Sequence, residues 1–421
     1  MTRFLLRPKN IPFRAALSAV FAALLAFPPT GSPQAKPQVN PYGLPADRIL
    51  TGADMYASRN STPLHGKRIG LITNQTGVDF SGQPTSRFFF TNDGKLVALF
   101  SPEHGLQGRA DAPVENSTDP ATGVPVYSLY GATRRPTDAM LKGIDVLIFD
   151  IQDAGVRFYT YVTTMAYCME AAAKHHITFI VFDRPNPLGG EVVEGPMLDP
   201  GRTSFTGYFP MPVRYGMTMG ELARMFNTEN KIGADLRVMS MRGWRRQETY
   251  DQTGLRWIPP SPNLPTVNGA FLYPGVEILQ AGGVSVGRGT DSPFEILGAP
   301  WIHASDLAAN LTQRKIPGVS FAATSFTPAH DLYAGMPCQG VTIRVTDRDA
   351  FRSMRMGLEL ADALHRLYPE QFHLEKIIEL LGSQSTLDRL ERGDAPAEII
   401  AGWVTDLDSF RAMRAKYLLY D

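Results

Sequence analysis

Four short apolar runs, each leaving a polar loop at its end, restrict what this chain can fold into. They are Arg68 to Asn74, Leu96 to Phe100, Asp145 to Asp150 and Thr178 to Asp183. Runs of this length, apolar at successive positions, suit strands covered on both faces. Between the last two lies 159–175, where Val162, Met165, Ala166, Met169 and Ala173 share one side of a helix. Buried strands joined by helices form an α/β fold with a doubly wound parallel sheet, whose ligands sit beyond the carboxyl ends of the strands.

The loops at those ends carry the chemistry. Ser101-Pro102-Glu103-His104-Gly105 leaves the second run. Pro102 stiffens the exit, and Gly105 and Gly108 permit a sharp change of direction. A carboxyl beside an imidazole on a stiff loop suits acid/base work, although a solvated surface loop can carry the same pair. The other strand ends add Asn74, Asp150, Asp153, Arg157, Arg184 and Asn186. Several polar strand ends at once favour a site over chance. No Gly-x-Gly-x-x-Gly follows a strand and no P-loop occurs, so no nucleotide cofactor is expected. No Cys/His spacing suits zinc, so no metal is expected either.

The 421 residues suggest two domains, and the 41 basic and 41 acidic side chains leave no net charge. A chain without excess positive charge is not built for nucleic acid, and an anionic ligand must be met by local arginines. Arg3, Arg7, Lys9 and Arg14 precede the apolar stretch Ala15 to Phe27, and a Pro-rich stretch runs from Pro28 to Pro41. This pattern predicts a signal peptide and linker over 1–40, and a periplasmic or secreted protein with no lasting membrane insertion; an uncleaved anchor is the alternative. Cys168 and Cys338 do not make a disulfide scaffold. Repeated prolines from Pro259 to Pro265 place a boundary between a domain at 45–265 and a smaller α+β domain at 266–421. The second holds Gly287-Arg288-Gly289-Thr290, where flanking glycines let Arg288 fork onto a carboxylate. Helices are expected at 304–313, 351–367 and 405–416, and strands at 320–326 and 341–346.

The motifs Ser101-Pro102-Glu103-His104-Gly105, Asp150-Ile151-Gln152-Asp153, Arg157 to Tyr161 and Asp183-Arg184-Pro185-Asn186-Pro187 occur in that order. Pro260-Ser261-Pro262-Asn263, Gly287-Arg288-Gly289-Thr290 and Gly298-Ala299-Pro300-Trp301 follow. As a set they resemble the exo-β-N-acetylmuramidase family, from about Leu50 to the C-terminus. The resemblance implies a Rossmann-like N-terminal domain, a smaller C-terminal domain and a cleft between them. It also implies release of N-acetylmuramic acid from non-reducing ends of peptidoglycan fragments, with Glu103 as catalytic acid. Glycoside cleavage usually needs a second carboxylate, for which Asp153 is preferred and Asp150 held in reserve. The substrate's own acetamide is another route. Arg157 or Arg288 would hold the lactyl carboxylate. Tyr159 and Tyr161 would stack on sugar or pack in the core, and His104 would orient Glu103. Asn74, Arg184, Asn186, Asn263 and Thr290 complete the expected substrate contacts. Two other readings stay open. One is a non-catalytic wall-binding module. The other is an esterase-type hydrolase, for which no Gly-x-Ser-x-Gly nucleophile elbow is expected.

Overall fold

A computed structural model describes residues 48–58, 64–91 and 95–421. The expected signal peptide and linker lie outside the described residues. Among those described, no helix is long and apolar enough to cross a membrane.

Seven strands build the main sheet: β1 (Arg68–Thr73), β2 (Lys95–Ser101), β3 (Ser117–Thr118), β4 (Pro125–Ser128), β5 (Val146–Asp150), β6 (Thr178–Phe182) and, after the hairpin described below, β9 (Leu236–Met239). Their order is β3-β4-β2-β1-β5-β6-β9, and all pairs are parallel except β3 with β4. Leu71 faces Leu99 on one side and Ile148 on the other, and Ile148 faces Ile180. The four runs therefore lie in one sheet, and Leu71, Ile72, Leu99, Phe100, Leu147, Ile148, Ile180 and Val181 are all buried. The chain steps outward from β1 to β2 and β4, then returns to β5 on the other side of β1. That reversal opens a crevice at the carboxyl ends of β1 and β5.

Side-chain alternation divides the sheet's residues between two layers. Leu71, Leu99, Ile148 and Phe182 pack with Tyr56 of α1 (Gly52–Ala57) and Phe89 of α2 (Thr85–Thr91). Ile72, Phe100, Phe149 and Val181 face the opposite layer, beyond α3 (Asp138–Leu141), where α4 (Tyr161–Lys174) and α5 (Met219–Glu229) lie. Thr218 and Glu221 close the first turn of α5 as a capping box, as their spacing requires. The loop at 108–123 is less irregular than its composition suggests, because it contributes β3 to the sheet edge.

A short hairpin, β7 (Glu194–Met197) with β8 (Pro212–Arg214), precedes β9. Residues 253–266 then carry no helix or strand. Beyond them stand α6 (Val267–Val276) and an antiparallel sheet of β10 (Ile296–Ala299), β12 (Cys338–Val345) and β11 (Val319–Phe326), in that spatial order. The helices α7 (Ala304–Gln313) and α8 (Ser353–Leu367) pack here, and the α-helices Ile378–Leu381, Gln384–Glu391, Pro396–Ala401 and Val404–Arg414 follow. One apolar core runs through both parts, joining Ile72 and Phe149 to Leu297, Val341 and Leu358.

The sequence does not announce α6. Gly269, Pro274 and Gly275 disguise it, and Gly269 through Val276 are all buried, so no amphipathic period shows. Its glycine is needed for contact: a Cβ on Gly275 would lie 2.0 Å from the Ser353 carbonyl oxygen of α8. Gly357 of α8 returns the constraint, 2.6 Å from the Gly275 oxygen.

Candidate active site

Glu103 leaves β2 one residue after Pro102 and lines a cavity of about 150 Å³. The backbone then enters the left-handed region, with φ of 70° at His104 and 74° at Gly105. That conformation costs a histidine about 1–2 kcal/mol, so the surroundings must hold it. The His104 carbonyl accepts from the Arg109 and Ala110 amides at 3.0 and 3.2 Å. Its Nδ1 lies 2.7 Å from the Ala110 carbonyl oxygen. A carbonyl only accepts, so Nδ1 carries a proton.

Two hydroxyls fix the Glu103 carboxyl. Thr160 Oγ1 donates to Oε2 at 2.5 Å. Thr160 is the N-cap of α4, yet its side chain makes no cap bond to that helix. The hydroxyl that ordinarily serves the first turn is spent on Glu103 instead. Tyr130, leaving β4, bonds the same carboxyl; burial and then this bond push its phenol up to about 12.

Glu277 and Arg288 form an ion pair in the opposite wall. Glu277 Oε2 and Arg288 Nε are buried without a hydrogen-bond partner, so the pair is under-satisfied by the protein alone. Burial pushes the Glu277 carboxyl up to about 7, against the pull of Arg288, with Asp331 and Glu103 adding to the rise. Phe158, Tyr159, Tyr273 and Phe294 supply aromatic lining. Tyr159 and Tyr273 meet edge to face at 5.9 Å. Other clefts are larger, but this one combines two carboxylates, a guanidinium and an aromatic surface, the make-up of a small-ligand site.

Of the residues expected at a site, Glu103, His104, Tyr159, Asn263 and Arg288 line this cavity together. The others do not, each for a visible reason. Asp150 is buried and accepts from Arg184 Nε at 2.6 Å and Thr85 Oγ1 at 2.8 Å. Asp153 is buried, and its Oδ2 takes the Tyr215 hydroxyl and the Gly155 amide while Oδ1 has no partner among the described residues. Burial pushes its carboxyl up to about 6, against these bonds. Arg157 is 1 % exposed and donates to the carbonyls of Pro196, Met211, Leu380 and Leu381. It ties backbone across the two parts, its Nε is buried without a partner among the described residues, and it does not line the cavity. Asn186 braces a turn through Leu188 and Met217, and Thr290 closes its own turn on Gly287. Tyr161 and Asn74 bond each other in the core at 3.1 Å. His104 Nδ1 faces its own loop, with Asp111 at 3.4 Å, and not Glu103. Asp153, Asp150 and Arg157 do not line the cavity, whose only guanidinium among the described residues is that of Arg288.

Glu277, Thr160, Tyr130 and Tyr273 escaped the sequence reading. Glu277 had a usable signal: it is the lone charge in the apolar run Phe271 to Leu279. The exclusion of the esterase also needs correcting, because Gly283-Val284-Ser285-Val286-Gly287 does have the elbow spacing. Ser285 is 2 % exposed and bridges antiparallel to Gly298. No strand-to-helix turn presents it, so it is not a nucleophile elbow. Both cysteines are free and buried.

Known proteins match this arrangement over nearly all of its length. The model of the exo-β-N-acetylmuramidase NamZ N-terminal domain matches residues 69–268, and that of its C-terminal domain matches 271–420. The peptidoglycan β-N-acetylmuramidase NamZ of Bacillus subtilis (strain 168) is 44% identical over 413 residues, covering 97% of this chain and 100% of that protein. Two crystal structures of DUF1343 family proteins from Bacteroides fragilis NCTC 9343 share the fold. One has a TM-score of 0.83 at 40% identity, covering 90% of this chain and 100% of its own. The other has a TM-score of 0.73 at 33% identity, covering 89% and 99%. The paired domain models and the near-complete 44% match lead to one conclusion: the chain belongs to the exo-β-N-acetylmuramidase NamZ family.

Proposed function

We propose that this protein is an exo-acting glycoside hydrolase that releases N-acetylmuramic acid from the non-reducing ends of peptidoglycan fragments, with Glu103 as general acid. The observation that carries the reading is the setting of Glu103. It is aimed into the cavity at a strand end and held by Thr160 and Tyr130, facing a wall that carries Arg288. A carboxylic acid fixed there can deliver its proton to the leaving glycosidic oxygen as the bond lengthens. The aromatic surface of Tyr159 and Tyr273 suits the apolar face of a sugar ring.

Arg288 supports the choice of sugar. N-acetylmuramic acid differs from N-acetylglucosamine by its lactyl ether, which ends in a carboxylate. A guanidinium forks onto that group and is left unmatched by the plain sugar. Glu277 holds Arg288 until substrate arrives, and its lifted pKa lets it give up that hold by taking a proton. Neither Asp153 nor Asp150 lines the cavity, and Glu277 is protonated when it frees Arg288, so the sugar-side step falls to the substrate's acetamide or to water.

The N-terminal charge and apolar pattern support export to the periplasm or beyond, where such fragments are met. Hydrolysis of a chromogenic β-N-acetylmuramide beside the β-N-acetylglucosaminide tests the reading. A strong preference for the muramide is expected. Equal turnover of the two contradicts the sugar assignment, and saturable binding with no turnover returns the protein to a wall-binding role.

A further inference from the structure

A second cavity, of about 200 Å³, opens beside the catalytic one at the carboxyl ends of β1, β5 and β6. A water takes about 30 Å³ in the liquid, so the space admits a ligand of several heavy atoms. Three arginines line it: Arg48, Arg184 and Arg256. Arg184 is only 6 % exposed. Its Nε is held by Asp150 and its Nη2 by the Val78 carbonyl, while Nη1 has no partner among the described residues. Arg48 and Arg256 pair with no carboxylate among the described residues.

Two acids also line the space, and both are engaged with their own backbone. Asp54 accepts from the Thr51 amide and hydroxyl and from the Phe80 amide. Asp79 Oδ1 accepts from Ser81 and from the Gln83 amide. Burial raises the Asp54 carboxyl, which weakens its claim on a neighbouring cation. Two guanidiniums, Arg48 over the Phe80 ring and Arg256, then face Asp79 Oδ2 as the one acid oxygen left over among the described residues, and the chemistry that satisfies them is a small oxyanion.

The two cavities share a wall. Ile258 lines one, and Ser261 and Asn263 line the other. Thr76 lines the second cavity and donates its hydroxyl to Asn74 Oδ1 at 2.6 Å. Asn74 Nδ2 donates to the Tyr161 hydroxyl at 3.1 Å. That hydroxyl donates to the Pro260 carbonyl at 2.7 Å and lies 3.3 Å from the Glu103 carbonyl oxygen. A continuous polar chain thus links the arginine cavity to the backbone of the catalytic residue.

We propose that this cavity binds a small oxyanion, a carboxylate or a phosphate, separately from the muramyl sugar, and that its occupancy alters turnover through Thr76, Asn74 and Tyr161. Coupling between sites can travel along a contiguous hydrogen-bond network, and the chain described supplies one. Binding is tested without reference to catalysis. Titration calorimetry on the full chain uses inorganic phosphate in one arm and malonate in the other; the tighter arm identifies the source of the oxyanion. Saturable binding of at least one probe is expected. The rim variant Arg48→Ala/Arg256→Ala is expected to weaken it tenfold or more, and Arg288→Ala, in the other cavity, to leave it unchanged. Absence of saturable binding for both probes, equal binding by the rim variant, or loss in Arg288→Ala overturns the site. The saturating probe is further expected to change wild-type turnover of the chromogenic muramide at least twofold and to leave the rim variant unaffected. Unchanged wild-type turnover overturns the coupling.

Discussion

Arg157 gives both Nη groups to backbone carbonyls and does not line the cavity, whereas Arg288 lines it beside a single carboxylate, and this separates the two. Hydrogen bonds from a charged donor contribute about 1.5–3 kcal/mol each, and the carbonyls left behind lose their partners. Arg157→Ala should therefore cost at least ~3 kcal/mol in chemical denaturation. Arg288→Ala should cost less stability than Arg157→Ala, because Glu277 can take a proton once its partner is gone, and reduce the preference for muramide over glucosaminide. Retained preference in Arg288→Ala would remove it from substrate recognition. Glu277 adds a pH signature. Below about pH 7 its carboxyl is neutral and Arg288 is free for the lactyl group; above it the Glu277 carboxylate competes. KM for the muramide should rise as pH passes upward through about 7, and Glu277→Gln should flatten that rise. An identical pH profile in Glu277→Gln would rule the competition out.

At the scale of elements, the N-termini of α4 and α5 make a controlled pair. Thr218 caps α5 by accepting from the Glu221 amide, whereas Thr160 at the head of α4 bonds Glu103. Thr218→Ala should cost about 2–4 kcal/mol of stability, for the cap and for the bond its hydroxyl gives the buried Asp183 carboxyl, and leave turnover intact. Thr160→Val should do the reverse: the midpoint holds, and turnover of the natural disaccharide falls. A stability loss in Thr160→Val equal to that of Thr218→Ala would mean that Thr160 serves only its helix. The elements themselves were legible where burial was one-sided or the apolar run was short. β1, β2, β5 and β6 show in the sequence because apolar residues run without a break between turn signals. The helix α6 does not, because a helix buried on every side has no polar face to set its period and this one contains Pro274.

The whole molecule holds two parts on one core, and the C-terminus returns to the first part. Tyr420 donates its hydroxyl to Asp183 at 2.6 Å, and the Arg246 amide donates to the Asp421 carbonyl at 2.7 Å. Buried acids in such a core leave a trace in stability. Asp153 has its carboxyl lifted from 3.8 to about 6 by burial, so the folded state binds its proton more tightly than the unfolded state does. Its contribution is whole below about pH 4 and is lost as pH rises through about 6, a change of about 3 kcal/mol. Asp153→Asn stays neutral throughout, so relative to wild type it should gain about that much between pH 4 and pH 7. A difference that stays constant with pH would mean Asp153 is charged in the folded protein. Site residues were legible for the same reason as the strands: Glu103 follows an apolar run, and Arg288 stands between glycines. What could not be read was burial. Asp150, Asp153 and Arg157 carry the right chemistry at the right strand ends, and only the fold shows that they are buried away from the cavity lining.

The account rests most heavily on Glu103 as the proton donor, and one comparison tests it. Turnover by Glu103→Gln is measured on a natural muramyl disaccharide and on a nitrophenyl muramide, with binding and the denaturation midpoint followed alongside. Glutamine keeps the size of the side chain but delivers no proton. A general acid contributes about 10²–10⁴-fold, so disaccharide turnover should fall by that order while binding and fold persist. The nitrophenolate needs little protonation to leave and should be cleaved with a much smaller loss. Wild-type turnover of the disaccharide by Glu103→Gln would contradict the account, and so would equal losses on the two substrates.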